Sequence, residues 1–191
     1  MATQSKGPVW GDHTQGGSVF CLRHLHPIFK NHEIPAQPSK GGKPGRALLS
    51  TQLYIHYSHH CFTQALEKLP EADPDLFYTC TTRRETRVFC QARWSESKLL
   101  PAIIAAIDRG KCFHTRHHNY FVVRDPSNPA LGDYFIYFAV VLSKSGFVDV
   151  HIESAYPRLD AERQLKNAER VGFNVLVVNA LRMVDTRRPS R

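Results

Sequence analysis

Tyr134-Phe-Ile-Tyr-Phe-Ala-Val-Val-Leu142 is apolar on both faces, the pattern of a strand buried in the middle of a sheet. Lys144-Ser-Gly146 follows as a tight turn. Phe147 to Tyr156 then alternates, with Val148, Val150 and Ile152 facing one way and Asp149, His151 and Glu153 the other. Pro157 is expected to stop that strand. Upstream, Tyr120-Phe-Val-Val-Arg124 reads as a strand and Asp125 to Gly132 as a turn region. Strands joined by turns, with no helix between them, pair antiparallel. The expected fold is therefore α+β: a twisted antiparallel β-sheet with helices packed on one side.

Outward from this stretch, Leu99, Leu100, Ile103, Ile104 and Ile107 fall at helical spacing, with Ser95 or Ser97 as cap and Gly110 as terminator. Thr51-Gln-Leu-Tyr-Ile-His-Tyr57 alternates as a strand. Asp75–Thr79 and Glu85–Ala92 read as short strands around Thr81-Thr-Arg-Arg84. Beyond Pro157, Leu159–Arg170 is expected to be a polar helix capped near Asp160 and ended by Gly172. Phe173-Asn-Val-Leu-Val-Val-Asn179 is expected to be a last strand.

Residues 1–47 differ from the rest: rich in Gly and Pro, without apolar period, and carrying six Lys/Arg against two acids. This arm is expected to be irregular or ordered only by contact, with Val19–Leu22 and Ile28-Phe29 docking onto the body. Residues 48–191 form a single expected domain.

Composition narrows the function. The chain of 191 residues has 25 Lys+Arg against 17 Asp+Glu, a formal charge of +8, and 11 histidines. Such a balance favours a polyanionic partner. No run of about 18 apolar residues offers a membrane span. Met1–Trp10 lacks the apolar core of a secretory signal. Five cysteines without tight spacing point to reduced thiols and a cytoplasmic location.

Two segments carry candidate chemistry. Lys111-Cys-Phe-His-Thr-Arg-His-His-Asn-Tyr120 gathers His114, Arg116, His117 and His118, with Lys111 and Arg124 flanking. Imidazoles exchange protons near neutral pH, and guanidinium holds phosphate by two hydrogen bonds. A solvated polar loop is the alternative. Asp149-Val-His-Ile-Glu-Ser-Ala-Tyr-Pro-Arg158 puts His151 and Glu153 on the polar face as a general acid–base pair, with Ser154, Tyr156 and Arg158 near the strand end. The alternative there is a cross-strand polar ladder. A weaker pattern, His56-x-x-His59-His60-Cys61 with Cys80, Cys90 and Cys112 further on, invites zinc but has poor ligand spacing. Cys61 beside His59 is also a candidate nucleophile pair lacking a third member. The tail Arg182–Arg191 and Tyr120 beside Arg116 and Arg124 suit a phosphate backbone and a stacked base.

The order of a helix at Leu99–Ile107, three strands and the ending Ser154-Ala-Tyr-Pro157 resembles the core of the barnase/EndoU/colicin/RelE-like ribonuclease superfamily, in its phage-associated branch, over about 97–180. The resemblance implies a metal-independent endoribonuclease of toxin or effector type, in which the 2′-OH attacks the adjacent phosphate. His114, His117, His118, His151 and Glu153 would then be catalytic. Lys111, Arg116, Tyr120, Arg124, Ser154, Tyr156 and Arg158 would bind RNA. No cofactor is implied, and an acidic inhibitor protein is the expected partner. Two alternatives stand beside it: a non-enzymatic basic nucleic-acid-binding or adaptor protein, phage-derived or not, and a zinc-stabilised protein using His56, His59, His60 and Cys61.

Overall fold

The computed structural model describes residues 8–39, 41, 45–69, 71–80, 84–115, 120–124, 133–166 and 168–182. Its centre is the hairpin read first in the sequence. Strand β10 (Asp133–Leu142) and strand β11 (Val148–Arg158) pair antiparallel, joined by a turn in which Gly146 has φ +85°. That conformation strains any residue with a Cβ. The register steps from Tyr137↔Ser154 to Phe138↔Ile152, so Glu153 is the extra residue of a bulge.

Around this hairpin grows a seven-stranded sheet. β9 (Tyr120–Arg124) pairs antiparallel with β10, and β8 (Cys112–His114) with β9. On the other side, β4 (Leu49–Tyr57) runs parallel to β11, and β3 (Ile28–Ile34) closes the edge antiparallel to β4. The sheet is therefore mixed, because β4 and β11 are far apart in the chain and are joined by everything between them rather than by a turn. Two hairpin strands, β1 (His13–Gln15) and β2 (Ser18–Phe20), stand apart from it. A small second sheet is built from β5 (Thr63–Gln64), β6 (Phe77–Cys80) and β7 (Glu85–Phe89).

The helices are α1 (Gln91–Ser97), α2 (Leu100–Ala105), α3 (Ala161–Leu165) and α4 (Phe173–Leu181). Leu100, Ile104, Phe173, Leu176 and Val177 pack with Tyr134, Ile136, Phe138, Val150 and Ile152 into the main core. Each such side chain contributes about 1.5–3 kcal/mol on full burial. A smaller cluster lies on the opposite face, where Ala161 and Leu165 meet Phe135, Phe113 and Tyr137. Among the described residues no helix is long and apolar enough to cross a membrane.

Several local expectations change. Phe173–Asn179 is helical, because Phe173, Leu176, Val177 and Ala180 form one buried stripe against β10, which outweighs the β-branched run. The polar helix after Pro157 shrinks to α3, and its end becomes β12 (Arg170–Val171), pairing with β8. Asp160 spends its carboxylate on Arg158 rather than on a helix cap. Ser97 ends α1 instead of opening a helix, and its hydroxyl donates to Trp94 O at 2.7 Å. Pro157 does not stop β11: β4 leaves the ladder at Tyr57↔Ile152, so Pro157 sits where one side of the strand has no strand partner to lose. The expected irregular arm is corrected where it is described: Ile28–Ile34 is a regular edge strand of the main sheet, and Trp10, Leu22, Leu25 and Ile34 are buried in the main core, while Val19, Ile28 and Phe29 stay exposed.

Candidate functional site

The polar residues of β11 share one face. Asp149 and His151 precede the bulge and Ser154, Tyr156 and Arg158 follow it, on the side opposite Val150, Ile152 and Ala155. His56 on β4 joins them. Its Nε2 lies 2.7 Å from Asp149 Oδ1, and its ring stacks on His151 at 4.5 Å with 4° between planes. Tyr54 stacks on His56 at 5.4 Å. His151 is thus part of a stacked polar ladder.

His114 does not join them. His114 pairs with Tyr120, which pairs with Phe138, a residue of the main core. Paired residues share a face, so His114 lies on the opposite side of the sheet from His151 and three strands away. Lys111 is exposed just before β8. Tyr120 and Arg124 begin and end β9. Arg116, His117 and His118 lie outside the described residues, as do the side chains of Tyr120 and Arg124.

Tyr156 and Arg158 do meet new partners. The Phe135, Tyr137 and Tyr156 rings form a stacked series, at 6.2 and 5.7 Å between neighbours. Arg93 of α1 caps it, its guanidinium carbon 4.6 Å from the centre of the Tyr156 ring. Arg158 grips Asp160 through two 2.7 Å bonds and donates to Tyr137 Oη at 3.0 Å. Burial pushes the Tyr137 hydroxyl up to about 12, against the opposing pull of Arg158. A cavity of about 500 Å³ opens beside this series, lined by Gln64, Arg93, Tyr156, Pro157, Leu159 and Asp160. Leu159 stands 83% exposed at its rim. Arg93 donates to His60 O at 3.2 Å and Thr63 O at 2.7 Å, and no carboxylate pairs with it among the described residues. Burial lowers its pKa from the ordinary arginine value.

Behind the cavity, the chain leaves β4 and turns tightly through His59–Cys61. Ser58 N–H donates to Ile152 O at 2.8 Å, and Ser58 Oγ accepts from His60 N–H at 3.2 Å. The two adjacent imidazoles reach the same carboxylate oxygen: His59 Nε2 is 3.1 Å and His60 Nε2 3.3 Å from Glu85 Oε2. Arg87 holds the other oxygen, Oε1, at 2.7 Å. Its Nε donates to Thr63 Oγ1 at 2.8 Å, and that hydroxyl donates to His59 O at 2.8 Å. Burial, with the neighbouring His60, lowers the His59 pKa to about 4. Burial works to raise the Glu85 carboxyl, but Arg87 and His60 hold it down to about 2.

His56 and Cys61 do not join this cluster. His56 is turned to Asp149, and Cys61 is buried with its Sγ 3.9 Å from Ile152 O. Burial pushes that thiol up to about 12, which removes the thiolate a nucleophile needs. Glu85, which the sequence reading passed over, lies 26 residues from His59, and no local motif marks the pair.

The fold and the cleft define a basic α+β protein with a mixed central sheet and an arginine-capped aromatic cavity. The chain belongs to the YjaZ family, whose profile matches residues 12–181. Protein YjaZ of Escherichia coli (strain K12) is 27% identical over 173 residues, covering 89% of this chain and 90% of that protein. No solved structure matches the chain. The match corrects the resemblance to the barnase/EndoU/colicin/RelE-like superfamily. It takes in the N-terminal half that the resemblance left out, and Ser154-Ala-Tyr-Pro157 lies within the continuous strand β11 instead of ending a smaller nuclease sheet.

Proposed function

We propose that the protein is a non-enzymatic nucleic-acid-binding protein that takes an unpaired nucleotide of single-stranded RNA in the cavity beside Arg93. The observation that carries this is Arg93 itself: half-buried, without a carboxylate partner among the described residues, and capping a stack of three aromatic rings at a cavity of about 500 Å³. That volume lies within the range of small-ligand clefts. A base can continue the stack on the outer face of the guanidinium, as unpaired RNA bases do on arginine planes. Arg93 and Arg158 against Asp160 leave the cleft one positive charge for a phosphate. The net charge of +8 supplies the longer-range attraction.

Binding without cleavage is better supported than metal-independent cleavage, because His114 and His151 lie on opposite faces of the sheet. An acidic inhibitor follows from a toxin and has no place in this proposal. The five cysteines are free, which supports a reducing compartment such as the cytoplasm.

The test is fluorescence anisotropy with a labelled single-stranded RNA, titrated with salt. Arg93→Ala is expected to weaken binding about tenfold, and Arg93→Lys to recover the salt dependence but not the full affinity, since the ammonium lacks a planar face. Circular dichroism of both variants checks that the fold is intact. Wild-type affinity in a folded Arg93→Ala protein would overturn the proposal, as would loss of RNA integrity in EDTA, which would restore cleavage.

A further inference from the structure

We infer that His59, His60 and Glu85 form a mononuclear site for a transition-metal dication of the zinc class. The cluster lies outside the cavity, on the turn whose His60 carbonyl anchors Arg93.

The geometry is that of ligands around one ion. His59 Nε2, His60 Nε2 and a Glu85 carboxylate oxygen lie within 4.8 Å of one another, and the two nitrogen–oxygen separations are 3.1 and 3.3 Å. Two ligands at about 2.0–2.1 Å from zinc, at a tetrahedral angle, sit about 3.3 Å apart. Ligand positions of that spacing therefore need little adjustment to receive an ion. Arg87 occupies Glu85 Oε1, so the carboxylate offers Oε2 alone. The closed circuit Arg87–Glu85–His59–Thr63–Arg87 fixes the carboxylate and the His59 backbone before any ion arrives, as the outer shell of a metal site does.

The donor set selects the metal. Two imidazoles and one carboxylate suit zinc and its neighbours, and offer too few oxygens for calcium. The His59 side chain is fully buried, whereas His60 is 30% and Glu85 36% exposed. The remaining coordination position thus faces solvent, where a water completes the shell.

The experiment uses untagged full-length protein, so that a polyhistidine tag contributes no metal. Zinc is titrated in calorimetry beside magnesium, and cobalt(II) is added as an optical probe. The expected result is one zinc per chain, a melting temperature raised by zinc and not by magnesium, and a visible cobalt band of tetrahedral type. His60→Ala, chosen because His60 is partly exposed, and Glu85→Gln should each weaken zinc binding by at least about tenfold. Circular dichroism confirms that they fold. Zinc binding by both folded variants equal to wild type, or no zinc-dependent shift in the wild type, would overturn the inference.

Discussion

Arg93 Nη1 donates to the backbone carbonyl of His60 at 3.2 Å, so the cation that caps the aromatic stack is anchored to the turn that carries the two adjacent imidazoles. The same nitrogen donates to Thr63 O at 2.7 Å, and Thr63 Oγ1 belongs to the Arg87–Glu85 circuit. Whatever orders the His59–Cys61 turn also orders Arg93. Chelation is therefore expected to weaken RNA binding without touching the cavity. A loss of about fivefold in affinity, the low end of ordinary coupling between sites, should follow EDTA dialysis and be reversed by zinc. RNA affinity that ignores zinc in a protein shown to bind it would separate the two sites.

Acid should loosen the N-terminal segment first. His13 packs on Phe89 at 4.3 Å, and its Nε2 is buried without a partner among the described residues. His24 Nε2 lies 2.8 Å from Ser97 Oγ, bridging the segment to α1. Burial lowers the pKa of both below 6.5, and Lys98 adds to the effect at His24. With the folded pKa below the unfolded one, the unfolded chain binds more protons as pH falls, so this contribution is intact above about 6.5 and is lost below it. Trp10, 5% exposed and donating to Tyr57 O at 3.0 Å, reports the event. Its emission should shift to the red between about pH 6.5 and 5, ahead of the loss of far-UV ellipticity. Simultaneous changes in both signals would mean that the segment has no separate docking step.

The hairpin of β10 and β11 was legible because its signals are local: an unbroken apolar run, a glycine turn and strict alternation. What decided the rest was contact between distant parts. Phe173–Leu181 carries three valines that favour a strand, and packing against β10 and β11 tips it to a helix. Ile28–Ile34 mixes Lys, Asn, His and Glu with apolar residues, and becomes a strand because β4 presents an open edge. Two of the three cluster residues stood in the sequence as His59-His60; Glu85 enters only when β7 folds beside that turn. Arg93 carried no signal, since a lone arginine in a helix is commonplace until Tyr156 lies beneath it.

His56 and Asp149 offer a test of whether the polar face of β11 is structural. They meet diagonally across the parallel β4–β11 pair, because the register sets Tyr54 against Asp149 and His56 against His151. Their side chains are only 14% and 20% exposed, so the 2.7 Å bond is shielded more than a surface ion pair. Asp149→Asn keeps the volume and removes the charge. It is expected to lower the unfolding free energy by about 1 kcal/mol. His56→Gln should do the same, and the two together should cost less than their sum, a coupling that a urea double-mutant cycle reads directly. Neither change should alter RNA affinity at fixed salt by more than the loss of one charge allows. Full additivity would show that the contact contributes nothing to stability. A selective collapse of RNA binding with stability intact would instead place His56, Asp149 and the stacked His151 in the ligand site.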